Sequence, residues 1–162
     1  MATETREFPH HAERLSMRAV IQVANGAHVE VDDEVIGGFD GRGLVVLLGV
    51  THSDDEAVAA KIATKIANLR ILPGEESVLQ AQAPVLLISQ FTLYGDVRKG
   101  RRPGWTAAAP GAVSEPLYEE VAGVLRGLGV EVSTGKFGAD MRVGLINQGP
   151  MTIWLDSADL PA

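Results

Sequence analysis

The spacing of apolar positions changes along the chain, and each change of period predicts an element. From Met17 the run MRAVIQVA reads as a strand. HVEVD follows as a second, with Val29 and Val31 on one side and Glu30 and Asp32 on the other. Asp33 and the Gly37-Gly38 pair mark turns around VIGGF, and the unbroken apolar run at 44–50, LVVLLGV, predicts a strand buried on both faces. The period then becomes helical: Val58, Ile62, Ile66 and Leu69 form one stripe. Ser53 and Glu56 have capping-box spacing at its start, and Pro73-Gly74 ends it. A strand at 85–91 leads into a basic loop. Ser114 is placed to cap a second helix, with Leu117, Val121, Val124, Leu125 and Leu128 inward and Gly129 in the left-handed closing position. VEVST, MRVGLI and MTIWLD read as the last three strands.

Residues 1–16 show no sustained period and read as an N-terminal extension; residues 17–162 read as one domain. The order is strands, two strand-helix units, then strands. It predicts a single-domain α/β fold with a mixed sheet and the helices on one side. A chain of 162 residues, 46% hydrophobic, can bury a full core without help from crosslinks. The longest apolar runs are strand-sized, so no membrane span is expected. The first residues lack the apolar centre of a signal peptide, and the chain has no cysteine. Both point to a cytoplasmic protein, and the second removes thiolate catalysis and cysteine-ligated zinc.

The candidate chemistry emerges by elimination. His10, His11, His28 and His52 show no helical metal-site spacing, and no GxSxG elbow accompanies His52 as a potential base. Nucleotide-binding glycine motifs are absent as well. What remains is hydroxyls, amides and glycines. Ser89, Gln90 and Thr92 stand at the C-terminal end of a buried strand, where α/β sheets place their ligands, although such residues also cap strand ends. Asn147-Gln148-Gly149-Pro150-Met151-Thr152 is a second polar island, and its proline implies an edge, a bulge or a cis bond. Arg98, Lys99, Arg101 and Arg102 make a compact basic cluster on a chain of net charge −7. Two readings of it stand: a solvated loop, or a local phosphate contact on an acidic body.

SQFTL at 89–93, the following YGDVRKGRRP, GKFGADM at 135–141 and NQGPMT at 147–152 together resemble the D-aminoacyl-tRNA deacylases. The resemblance runs from Met17 to Asp156. It implies a layered β/β/α sandwich working as a homodimer without cofactor or metal. The implied reaction is hydrolysis of the ester joining a D-amino acid, or mischarged glycine, to the 3′-terminal adenosine of tRNA. Ser89, Gln90, Phe91 and Thr92 would form the catalytic stretch, with the backbone N–H groups near Phe91 and Thr92 facing the oxyanion. Either Thr92 or the ribose 2′-hydroxyl would promote attack, and the second route is favoured because no base accompanies Thr92. Gly149-Pro150, cis in the family, would enter the partner's pocket and direct its carbonyls at the substrate ammonium, so that an L side chain collides. Asn147 and Thr152 flank that turn. Phe137 and Met141 would line the adenosine site, or else simply pack in the core. The basic cluster would meet acceptor-stem phosphates.

Two departures from the family pattern stand out. Val23 occupies a position where arginine is usual and would support the Gly-Pro turn. The stretch 73–84 lacks a KMN-like segment and reads as a trimmed surface loop. Two rival functions follow: a tRNA-binding module without hydrolysis, and a metabolite esterase, which would need a base.

Overall fold

A computed structural model describes residues 15–161. Its centre is one five-stranded mixed sheet, ordered β4-β3-β2-β1-β5. β1 (Arg18–Val31) and β2 (Glu34–Gly49) form a long antiparallel hairpin. α1 (Glu56–Asn68) and a short α2 (Val78–Ala81) lead to β3 (Val85–Ser89), parallel to β2. α3 (Gly111–Gly127) then leads to β4 (Val132–Thr134), parallel to β3, and β5 (Arg142–Asp156) returns antiparallel to β1. Two strand-helix units flanked by antiparallel strands are what the periodicity implies.

Alternation on β2 and β3 splits the core in two. Leu44, Val46 and Leu48 with Val85 and Leu87 face α1 and α3, meeting Ile62, Ile66, Val121 and Leu125. Val45, Leu86 and Ile88 face the other way, against Val29, Phe39, Val143 and Leu145. Those last four come from the far halves of β1, β2 and β5, which bend back over the sheet. The layering is therefore β on β on α, with both β layers drawn from one sheet. The bend needs backbones in close contact. Gly38 has φ 147°, and a Cβ there would lie 2.3 Å from the Ala27 carbonyl oxygen, a spacing only glycine permits.

Several boundaries differ from the sequence reading. MRAVIQVA and HVEVD are one strand with a bulge near Asn25, and MRVGLI and MTIWLD likewise join into β5. Gly37-Gly38 lies inside β2, and the turn falls at Asp32 and Asp33, both at positive φ (50° and 64°), the geometry of a tight hairpin. A glycine within a strand thus marked curvature rather than a break. β3 stops at Ser89, and Phe91–Tyr94 forms a 3-10 turn.

The caps also differ. Asp55, not Ser53, caps α1 by accepting from the Val58 N–H at 2.9 Å. Its charge beside the helix N-terminus makes it the stronger choice, and Ser53 Oγ donates instead to the Leu15 carbonyl. α1 ends at Asn68, well before Pro73-Gly74. α3 begins after Pro110, and Ser114, one turn in, donates back to the Pro110 carbonyl. Leu128 is exposed, while Tyr118 takes a fully inward place. The stretch 73–84 is more than surface loop: Ser77 and Gln80 make a capping box that fixes α2 and buries Val78.

Residues 1–14 of the N-terminal extension, with His10 and His11, lie outside the described residues. Its last two residues are tied down: Tyr94 donates to the Ser16 carbonyl, and the Ser16 and Ser157 hydroxyls hydrogen-bond. No helix among the described residues is long and apolar enough to cross a membrane.

Candidate active site

At the C-terminal end of β3, where strand, 3-10 turn and α3 meet, lies a mostly apolar cavity of about 260 Å³. Leu48 and Val50 come from the end of β2 and the residue beyond it, Ser89, Gln90 and Phe91 from β3 and its turn, and Gly111, Ser114 and Tyr118 from α3. Phe137 and Gly138 close it from the segment after β4. It is a cleft at the carboxyl edge of a parallel strand pair, the usual ligand position in α/β folds.

The turn beside the cavity is braced from several directions. The Gln90 N–H donates to the Leu48 carbonyl at 2.7 Å. Below it, Tyr94 is buried and donates to the Ser16 and Gly49 carbonyls at 2.6 and 3.1 Å. Burial pushes the Tyr94 pKa far up, so its proton stays in place as a donor. Arg18 lies over the Tyr94 ring, 5.0 Å from its centroid, and donates to the Leu93 carbonyl. Gly49 leaves room for this arrangement, since a Cβ there would sit 2.8 Å from the Tyr94 ring. The first N–H groups of a helical turn have no partner within it; here those are the amides of Phe91 and Thr92. The Gln90 side-chain amide donates to the Thr92 hydroxyl.

No lining residue offers a general base. The one titratable side chain in the wall, Tyr118, donates to the Leu87 carbonyl at 2.5 Å, and burial raises its pKa well above the ordinary value. Asp54, whose pKa is raised mainly by burial, is occupied elsewhere by the Thr51 and Met17 N–H groups. His52 Nε2 lies 2.8 Å from the Thr106 carbonyl oxygen and does not line the cavity. Among the described residues, no group of His, Cys, Asp or Glu is arranged to hold a metal ion. The cavity's polar resources are backbone dipoles, two serines and an amide.

The residues singled out from sequence fall in three places. Ser89, Gln90, Phe91 and Phe137 share the cavity, with Thr92 directly beyond. Met141 is packed against the second core cluster and is not in the cavity wall. Gly149 and Pro150, joined by a cis peptide, lie with Val23, Gln148 and Met151 in a separate hollow that also includes Arg70 and the 71–75 turn. There the register of β1 against β5 skips from Gln22↔Thr152 to Ala24↔Asn147, so residues 148–151 bulge out opposite Val23. Asn147 spans the bulge, donating to the Val23 and Met151 carbonyls at 3.0 and 3.2 Å. Gln22 donates to the Thr152 hydroxyl. Two strands, β2 and β1, separate β3 from β5, which puts the bulge about 14 Å from the cavity's strand at ordinary inter-strand spacing.

The basic loop is the third place. It is closed by paired backbone hydrogen bonds between Asp96 and Gly104, both 2.8 Å. Arg98 pairs with Asp96 at two points, 2.9 and 2.8 Å, and that pairing holds the Asp96 carboxyl down at about 2. Lys99, Arg101 and Arg102 are exposed, and no ion pair among the described residues involves them.

Sequence reasoning missed part of the cavity wall. Tyr118 sits next to Leu117 on the helix stripe and carried no separate signal. Ala109 and Gly111 reach the cavity because the Ala109 N–H bonds the Val50 carbonyl and Thr51 Oγ1 bonds the Ala107 carbonyl. Such long-range pairing leaves no local trace.

The family model for D-Tyr-tRNA(Tyr) deacylase matches residues 20–156. The chain belongs to this family. A D-aminoacyl-tRNA deacylase of Kineococcus radiotolerans is 60% identical over 141 residues, covering 87% of this chain and 100% of that one. One from Streptomyces coelicolor is 57% identical over 140 residues, covering 86% of this chain and 99% of its own. Among solved structures, a c-Myc DNA unwinding element binding protein aligns with TM-score 0.78 and 36% identity, over 90% of this chain and 99% of that one. A probable eukaryotic D-amino acid tRNA deacylase gives TM-score 0.76 over 86% of this chain and 98% of its own; at 19% identity it speaks for the deacylase fold alone.

Proposed function

We propose that this chain hydrolyses the ester between a D-amino acid and the 3′-terminal adenosine of tRNA, clearing mischarged tRNA in the cytoplasm. Mischarged glycine falls within the same reading. The observation that carries it is the mostly apolar cavity beside Ser89-Gln90-Phe91, which has no base in its wall, in a chain of the deacylase family. The adenosine enters between Phe137, Tyr118 and Gly111. The ester carbonyl oxygen faces the amides of Phe91 and Thr92, which stabilise the negative charge that develops there. Water attacks the carbonyl carbon, the bond to the ribose oxygen breaks, and that oxygen leaves with a proton.

An aminoacyl ester is already labile, so positioning and charge stabilisation supply the acceleration. With no base in the wall, the ribose 2′-hydroxyl assists the attacking water, and Thr92 orders the turn through its contact with Gln90. This predicts that Thr92→Ala retains measurable hydrolysis, whereas substrate ending in 2′-deoxyadenosine reacts at least about 100-fold more slowly, the scale of one lost proton-transfer group. Single-turnover kinetics on both substrates decide the matter. A dead Thr92→Ala enzyme with full activity on the deoxy substrate would make Thr92 the nucleophile.

Selection against L-amino acids rests on the Gly149-Pro150 bulge. The bulge is too far from its own cavity to touch the same substrate, so the working unit is a homodimer in which each bulge enters its partner's site. Ile146, Met151 and Trp154 on the edge strand β5 are exposed apolar side chains, as an edge awaiting a partner would present. Lys99, Arg101 and Arg102 contact tRNA phosphate. A tRNA-binding module without hydrolysis is the other reading, motivated by Val23 standing behind the bulge where the family usually has arginine. Activity on D-aminoacyl-tRNA separates the two.

A further inference from the structure

Two aromatic rings stand exposed between the cavity and the basic loop. Phe91, 57% exposed, lines the cavity; Trp105, 42% exposed, lies one step outward at the base of the loop. They meet edge to face, with centroids 5.4 Å apart and planes at 73°. Trp105 is held in place from beneath: a Cβ on Gly95 would lie 3.0 Å from its Cζ3, so the indole rests directly on the Gly95 backbone. The Asp96–Gly104 pairing closes the loop immediately before it. The outward side of the indole is therefore presented rather than used, at the foot of the closed loop that carries Lys99, Arg101 and Arg102.

An apolar ring beside cations is what single-stranded nucleic acid recognises, with a base on the ring and phosphates on the charges. Resting on the reading above, in which the cavity takes the terminal adenosine, we infer that Trp105 is the stacking platform for the next base inward on the unpaired 3′ end of the tRNA. Phe91 joins the two positions, lining the cavity and meeting the indole at 73°. The phosphates beyond that base run toward the basic loop. Trp105 is a positioning residue: it touches RNA away from the scissile ester and raises occupancy of the site.

The test compares Trp105→Ala and Trp105→Phe on two substrates, D-Tyr-tRNA and the minimal ester D-tyrosyl-adenosine, which has no second base. On D-Tyr-tRNA the alanine variant should lose about tenfold or more in kcat/KM, the ordinary weight of one base-aromatic stack, mostly through KM. On the minimal ester it should match the parent, and the phenylalanine variant should recover most of the loss. Equal losses on both substrates would make Trp105 a structural support of the cavity and overturn the inference, as would no loss on either. A second readout is independent of turnover. An uncharged oligonucleotide ending in CCA should quench the tryptophan fluorescence of the parent, and Trp105→Phe, which leaves only Trp154, should abolish that quenching. Absence of quenching at saturating oligonucleotide would also overturn the stack. A parent enzyme inactive on D-Tyr-tRNA would refute the proposed function, while quenching would still report on the platform.

Discussion

Asp96 and Arg98 are two residues apart, and their ion pair changes how the basic cluster is counted. Four cations are legible in the sequence, but the Asp96 carboxylate already offsets one of them in the folded chain. The Asp96 pKa is depressed to about 2, chiefly by the Arg98 hydrogen bonds. The stability linked to that pair is therefore present above the ordinary carboxylate value and lost only as pH falls toward 2. At neutral pH the pair persists. Asp96→Asn should release Arg98 for phosphate, tightening tRNA binding at low salt and steepening the slope of log K against log salt by about 0.7–0.9. Binding titrations across a salt series measure this; an unchanged slope would mean that Arg98 stays off the RNA. The same short range explains other misreadings. Ser53 and Asp55 are both good caps two residues apart, and Asp55 takes the role because its charge suits the helix N-terminus, while the Ser53 hydroxyl donates to the Leu15 carbonyl.

The 96–104 loop is the element that carries charge, and its hairpin-like closure gives the cations a fixed base. Arg101→Ala together with Arg102→Ala should weaken tRNA binding and flatten the salt slope by about one to two units, leaving the D-over-L preference unchanged. An unaltered slope would return the loop to a solvated role. Helices and parallel strands were well marked in the sequence, because a stripe such as Ile62 and Ile66 or a run such as 85–88 is dictated by burial. The long antiparallel strands were not. Their glycines and polar residues look like breaks, yet Gly37 and Gly38 sit mid-strand so that β2 can fold over Ser133 and Thr134. Curvature of that kind depends on residues a hundred positions away, which a local period does not register.

At the scale of the whole molecule, SQFTL and NQGPMT, two of the stretches that carried the family resemblance, end up on opposite sides of β1 and β2. The sequence lists them in order but holds nothing of that separation, which follows from strand order alone. If each site is assembled from two copies, two crippled variants should complement. Gly149→Ala keeps the fold, since its nearest neighbour to a new Cβ is Asn147 Oδ1 at 4.0 Å, but crowds the substrate. Ser114→Phe fills the cavity. Mixed and refolded together, the inactive pair should regain about a quarter of parental activity, as expected when half the dimers carry one intact site. No recovery would place both motifs in one subunit's site or none. The most direct measurement is simpler: the rate at which the purified chain releases amino acid from D-Tyr-tRNA and from L-Tyr-tRNA, side by side. Rapid hydrolysis of the D-ester with the L-ester surviving at its spontaneous rate is the predicted result. Equal rates on both, or none on either, would contradict a chirality-selective deacylase.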